Sequence, residues 1–112
     1  MKKIIFVYLI CQFNLANLIL PQHNSNINYT HVLFEWRQLE DAYSYQLQIA
    51  EDLAFSNILT DTISQSLIYV EKNNIDWNSD YHWRVRSIDS SNNLSPWSDS
   101  FSFTTSQKRS NA

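Results

Sequence analysis

The sequence predicts an all-β domain: an antiparallel β-sandwich of six to seven short strands, preceded by a signal peptide. Three observations carry this. After about residue 30 the apolar residues recur with period two, not 3.6. The gaps between these runs are short and rich in Asn, Asp and Ser. No run shows a helical stripe longer than two turns. The chain has 112 residues, a length that fits one domain.

The first segment is set apart from the fold. Lys2 and Lys3 form a basic start, and Ile4 to Cys11 is an unbroken apolar run. Leu15 to Leu20 is apolar but for Asn17. This is the layout of a secretory signal. A spanning helix needs about twenty apolar residues, and Gln12, Asn14 and Asn17 interrupt this stretch. Residues 1–22 are therefore assigned to the leader, with the mature chain starting between residues 17 and 23. Cleavage after Ala16 is one candidate, and cleavage near Pro21 or Gln22 is the other.

The strands follow in order. Pro21 to Thr30 is a polar lead-in with at most a weak strand. In Val32-Leu33-Phe34-Glu35-Trp36, the residues Val32, Phe34 and Trp36 share one face. Tyr45, Leu47 and Ile49 alternate with Gln46, Gln48 and Ala50, the pattern of a half-buried strand. Ile58 to Ile63 and Ser66 to Val70 are two short candidates. Tyr81 to Ser87 alternates again, with Tyr81, Trp83 and Val85 inward and His82, Arg84 and Arg86 outward. Phe101 and Phe103 lie on one side of the last strand. Residues 23–105 thus form the sandwich, and 106–112 a polar tail or the start of a linker. The turns Asn73-Asn74, Asn78-Ser79-Asp80 and Ser90-Ser91-Asn92-Asn93 hold no glycine. Asn and Asp tolerate left-handed backbone and bond their own main chain, so they stand in for it.

Composition narrows function. Hydrophobic residues make up 44% and charged residues 17%, an ordinary globular mix. Glycine is absent altogether, which excludes the phosphate-cradling loops of nucleotide enzymes. The single cysteine, Cys11, lies in the leader, so the mature chain has no disulfide and no thiolate metal site. Loss of Lys2 and Lys3 leaves 6 basic against 11 acidic residues, a net charge of −5. No basic stripe survives, so neither nucleic acid nor an anionic membrane is an expected partner.

At this point the residues resemble the fibronectin type III family over about 30 to 105. Trp36 ends one strand, and Ala42, Tyr45, Leu47 and Ile49 follow in the next. Ile75 lies six residues before Tyr81, which opens a strand as Tyr81-x-Trp83-x-Val85. Ser95-Pro96-Trp97-Ser98 precedes the last strand. The run Tyr81 to Arg86 with the later Trp97-Ser98 looks like the form found in bacterial exported proteins. An immunoglobulin-like sandwich is the structural rival, but it would want a cysteine pair across the sheets. The resemblance implies a tyrosine corner at Tyr81, whose phenol bonds a nearby backbone group. It also implies a non-catalytic spacer or contact module, secreted or held at the cell surface or in the periplasm. Its partner would be a protein or a surface polysaccharide. A carbohydrate-binding module of similar fold is the alternative.

No catalytic, cofactor or metal residues are expected. The histidines are scattered, no Ser or Cys is spaced to be activated, and the carboxylates fall mostly at turns. The residues singled out as structural are Trp36, Tyr45, Tyr81, Trp83, Arg84, Arg86 and Trp97. Trp97 is expected to stack on the outward Arg84 and Arg86 rather than stand free as a platform. Tyr43 and Trp77 are the exposed aromatics placed to touch a ligand. The mature domain is expected to be monomeric.

Overall fold

The computed structural model describes residues 17–109. Residues 1–16, most of the stretch 1–22 expected to be a signal peptide, and residues 110–112 at the end of the expected polar tail lie outside the described residues. Eight strands form two sheets with no α-helix among the described residues: β1 (Leu18–Leu20), β2 (Ser25–Ile27), β3 (Val32–Trp36), β4 (Ser44–Ala50), β5 (Ile58–Ser64), β6 (Ile68–Glu71), β7 (Asp80–Ile88) and β8 (Phe101–Thr105). One sheet has the order β1-β3-β6 and the other β2-β8-β7-β4-β5. They pack face to face as a sandwich.

Period-two alternation sets the core. In β7 buried and part-exposed residues alternate along the strand, so Tyr81, Trp83 and Val85 point inward. Val32, Phe34 and Trp36 of β3 meet them from the other sheet. Phe34 stands edge-on to Trp83 at 5.0 Å and to Phe103 at 5.8 Å, and Trp36 stands edge-on to Tyr45 at 5.8 Å. Such edge-to-face pairs contribute roughly 0.5–1.5 kcal/mol each beyond their burial.

Two phenols tie loops to this core. Tyr81 Oη accepts the backbone N–H of Asp76 at 2.7 Å, and Tyr45 Oη accepts that of Leu39 at 3.2 Å. The tight turns sit where Asn and Asp take the left-handed region: Asn24, Asp41, Asn78 and Asn92 all have positive φ.

The N-terminal edge is fuller than the sequence pattern indicates. Strand β1 pairs antiparallel with β3, Leu18 opposite Trp36, and Leu18 is only 5% exposed. The chain then crosses to the other sheet, where β2 runs parallel to β8 with Ser25 opposite Phe103. Pro21 lies at the crossing. It has no N–H to offer a ladder, so it suits the point where one pairing ends. These three-residue strands are too short to carry a period, and β2 adds a parallel pair to an otherwise antiparallel sandwich.

Candidate functional site

The outward face of the five-stranded sheet carries a connected set of polar and aromatic side chains. Its register is simple. Gln48 on β4 lies opposite Asp61 on β5 and Arg84 on β7, and Gln46 lies opposite Arg86. Asp61 accepts from both amides: Gln46 Nε2 at 2.7 Å and Gln48 Nε2 at 3.0 Å. A carboxylate can only accept, so it draws both NH₂ groups toward β5. The amide oxygens then face β7. Gln48 Oε1 accepts from Arg84 Nε at 3.0 Å and Nη2 at 2.8 Å, and Gln46 Oε1 accepts from Arg86 Nε at 2.8 Å. One acid thus orients two guanidiniums through neutral relays.

Aromatic rings cover the guanidiniums. The Arg84 guanidinium carbon lies 4.3 Å from the Trp97 ring centroid, and that of Arg86 lies 4.2 Å from it. Arg84 also lies 4.0 Å from the ring of Phe55. Phe55, Arg84, Trp97 and Arg86 form one continuous run of stacked groups. Each contact is worth about 0.5–1 kcal/mol when exposed and more when desolvated. Arg84 is held below the usual arginine range by burial first and then by the Arg86 charge, with Asp61 acting against both.

Serines put Trp97 in place. Ser95 donates its N–H to Ser87 O at 3.0 Å, and its Oγ accepts from Ser87 N at 2.9 Å. Ser98 repeats the arrangement on Val85, at 2.9 and 3.1 Å. The two hydroxyls replace backbone carbonyls, so the segment docks along β7 without forming a regular strand.

Phe55 is placed by the β4–β5 loop. Asp52 accepts from Ser56 Oγ at 2.5 Å, Asn57 N at 2.8 Å and Ser56 N at 3.0 Å. These donors, the Ser56 hydroxyl first, bring the Asp52 carboxyl down to about 2. The closed turn leaves Phe55 at φ 56°. A left-handed bulky residue costs roughly 1–2 kcal/mol. The stack on Arg84 offsets that strain. Sequence reasoning misses Phe55, because the loop has no period and Phe is not a residue expected at positive φ.

A second polar centre also escapes the sequence pattern. Glu71, at the end of β6, is 2% exposed. Its Oε1 accepts from Thr60 Oγ1 at 2.7 Å and Tyr69 Oη at 3.3 Å, and its Oε2 from Asn73 N at 3.0 Å and Asn74 N at 3.1 Å. Burial pushes this carboxyl up, but the Thr60, Asn73, Asn74 and Tyr69 hydrogen bonds outweigh it and leave it below the usual glutamate range. The carboxylate links β5, β6 and the β6–β7 turn, and is fully occupied in doing so.

The singled-out residues fall into three places. Trp36, Tyr45, Tyr81 and Trp83 lie in the core. Arg84, Arg86 and Trp97 meet on the outer face. Tyr43 and Trp77 lie at opposite ends of β7: Tyr43 N bonds Ile88 O at 2.8 Å, whereas Trp77 sits in the turn before Asp80. They do not form one platform. His82 Nδ1 pairs with Ser102 Oγ at 2.8 Å on the outward face. Among the described residues no group of three or more His, Cys, Asp and Glu side chains could hold a metal ion. No helix among them is long and apolar enough to cross a membrane.

Solved structures share this arrangement of two sheets. A fibronectin type III domain, the sixth of a human protein, superposes with a TM-score of 0.63 at 14% identity, covering 88% of each chain. The fold is fibronectin type III-like. An Fn3-like protein from Clostridium thermocellum matches with a TM-score of 0.60 at 10% identity, covering 79% of this chain and 92% of that one. A β-1,2-glucanase from Parabacteroides distasonis matches with a TM-score of 0.60 at 17% identity, covering 86% of this chain but 13% of the glucanase. No family model matches the sequence, and no curated protein does. The likeness therefore rests on three-dimensional arrangement.

Proposed function

We propose that this chain is a non-catalytic, exported fibronectin type III-like module of the kind found in bacterial exported proteins, acting as a spacer and as a contact surface for a protein or a surface polymer. The observation that carries the reading is the preformed outer face of the five-stranded sheet. Its guanidiniums, amides and rings are already stacked and bonded to one another. A surface so ordered loses little side-chain freedom on binding. The similarity to a Clostridium thermocellum Fn3-like protein and to a small part of a glucanase chain supports a modular role. Lys2, Lys3 and the apolar run after them support export.

The alternative is a carbohydrate-binding module of the same fold, in which the exposed Tyr43 and the half-buried Trp77, at opposite ends of β7, would be separate sugar contacts. Expression in an exporting host, followed by intact-mass measurement and assay against a panel of polysaccharides, tests both halves of the proposal. The expected result is secreted protein lacking Lys2 and Lys3 that hydrolyses none of the panel. Retained Met1, or turnover of any polymer, overturns it.

A further inference from the structure

Two histidines bracket one residue of β8. Ser102 lies opposite His82 of β7, and His82 Nδ1 pairs with the Ser102 hydroxyl at 2.8 Å. On the other side, toward β2, Ser102 donates its backbone N–H to His23 Nδ1 at 3.0 Å, and its carbonyl accepts from Asn24 N at 2.7 Å. The main chain of Ser102 is thus satisfied by one backbone group and one imidazole. His23 Nδ1 stands where a carbonyl would otherwise extend the β2–β8 ladder, which begins one residue further on with Ser25 opposite Phe103.

Local structure places the ring there. Gln22 O accepts from Ser25 N at 3.1 Å, which closes a tight turn with His23 and Asn24 at its centre, and Asn24 takes φ 65°. Asn suits that left-handed position. The His23 ring also lies 5.3 Å from the Phe101 ring, tilted by 35°. Turn and ring contact together aim Nδ1 at β8.

A proton does different things to the two rings. A backbone N–H can only donate, so His23 Nδ1 must be the bare nitrogen of a neutral imidazole. Once both of its nitrogens carry hydrogen, two N–H groups face each other and the bond is gone. The Ser102 hydroxyl can donate or accept, so His82 keeps its partner in either charge state. On β7, Asp80 and Arg84 flank His82 on the same outward row, and Asp99 precedes β8; β2 and β8 themselves carry no charged residue. Among the described residues neither ring hydrogen-bonds a carboxylate, so no acid partner offsets the lost bond when His23 is charged.

We propose that His23 is an acid-sensitive clasp, whose protonation releases the Ser102 N–H and loosens β2, with the crossing that precedes it, from the edge of β8. Strand β2 has three residues, so a single bond is a sizeable share of what holds it. The sign follows from the proton count. The bond is present above the ordinary histidine range, near 6.5, and is lost as pH falls through it. At pH 5.0 a histidine of that ordinary value is neutral in about one molecule in thirty. His23 is kept by every leader boundary between residues 17 and 23, and the clasp depends on neither export nor a binding partner.

Amide hydrogen exchange of the purified protein, read by NMR at pH 7.5, 6.5 and 5.0 and corrected for the intrinsic rate, tests this. The expected result is a fall of about tenfold in the protection of the Ser102 amide between pH 7.5 and 5.0, while that of Leu47 in the central strand β4 stays constant. His82→Gln should keep the fall. His23→Gln, neutral at every pH used, should abolish it. The ring nitrogens of His23 give a second reading: at pH 7.5 the proton should sit on Nε2 and not on Nδ1. Near-ultraviolet circular dichroism checks that each variant is folded, and if His23→Gln is not, the ring tautomer decides the matter. Constant Ser102 protection overturns the proposal, as does a His23 ring protonated on Nδ1 at pH 7.5. A fall that persists in His23→Gln, or that disappears in His82→Gln, overturns it in favour of His82 as the titrating group.

Discussion

Glu71→Gln should destabilise the domain at neutral pH and cease to do so in acid. The carboxylate receives hydrogen bonds from two hydroxyls and two backbone N–H groups in a nearly closed site. Glutamine keeps the shape but replaces one acceptor oxygen with a donor. Its remaining oxygen can serve the Asn73 and Asn74 N–H groups. Its NH₂ then faces Thr60 and Tyr69, and Thr60 Oγ1 already accepts from Asn74 Nδ2 at 2.8 Å. Hydrogen bonds to a charged group contribute about 1.5–3 kcal/mol each against about 1 for neutral ones. Asn73 and Asn74 are exposed, so water softens the loss on that side. A net cost of about 1–3 kcal/mol follows for the substitution.

The direction with pH is fixed by where Glu71 titrates. Its folded-state value lies below its unfolded one. Its stabilising contribution is therefore complete above the ordinary glutamate range, near 4.3, and is lost as pH falls through the folded value. The glutamine variant has no such group. Urea unfolding, followed by the fluorescence of buried Trp36 and Trp83, can be run at pH 7, 5, 4 and 3. With a slope of about 1 kcal/mol/M for a domain of this size, the variant's midpoint should fall by about 1–3 M at pH 7. The gap between the two proteins should narrow steadily below pH 4.5. A gap that stays constant from pH 7 to pH 3 would refute the reasoning, because the cost would then be one of shape and not of charge.

Three further outcomes follow from the geometry. Phe55→Gly should be less destabilising than Phe55→Ala by about 1 kcal/mol, because both lose the ring on Arg84 while only glycine escapes the left-handed penalty; thermal melting of the pair reads the difference, and equal melting temperatures would remove the strain argument. Tyr81→Phe should cost about 1–3 kcal/mol by leaving the Asp76 N–H without its acceptor, measured as a shift in denaturation midpoint. A chain starting at His23 should be less stable than one starting at Asn17 by about 2–4 kcal/mol, since it leaves the Leu18 site on β3 empty; equal stability would mean that β1 contributes nothing.

Some of this was legible and some was not, for reasons that differ by residue. The strands with five or more residues and a clean alternation, β3, β4, β7 and β8, could be read from Val32, Tyr45, Tyr81 and Phe101 onward, because one buried face imposes period two. Strand parity alone puts Arg84 and Arg86 on one outer row. Leu18–Leu20 looked like the tail of an apolar leader, since three apolar residues have no readable period and the partner that buries them, β3, is more than ten residues away. Glu71 gave no sign, because a carboxylate is buried only when its donors converge: Tyr69, Asn73 and Asn74 lie within three residues of it, but Thr60 comes from β5 in the facing sheet, which local sequence does not encode. A search for an acid flanked by turn asparagines after a strand would have raised it as a candidate.

On the export proposed above, fold and processing would constrain each other at the leader boundary. Leu18 pairs opposite Trp36 and fills the core, and Asn17 O accepts the Arg37 N–H at 2.8 Å. Cleavage after Ala16 would deliver a chain that still carries β1. Cleavage near Pro21 or Gln22 would remove the strand and expose the inner face of β3 beside it. The two sites therefore differ in stability as well as in mass, and the N-terminus of the secreted protein can be read against its melting temperature. If the N-terminus falls at Gln22 or His23, the three-stranded sheet must stand on β3 and β6 alone, and the secreted protein should melt together with the truncated chain and not with the chain that begins at Asn17. If it falls at Asn17, the residue pair Leu18 and Trp36 sets the boundary, because the apolar stretch serves the leader up to Ala16 and the core after it.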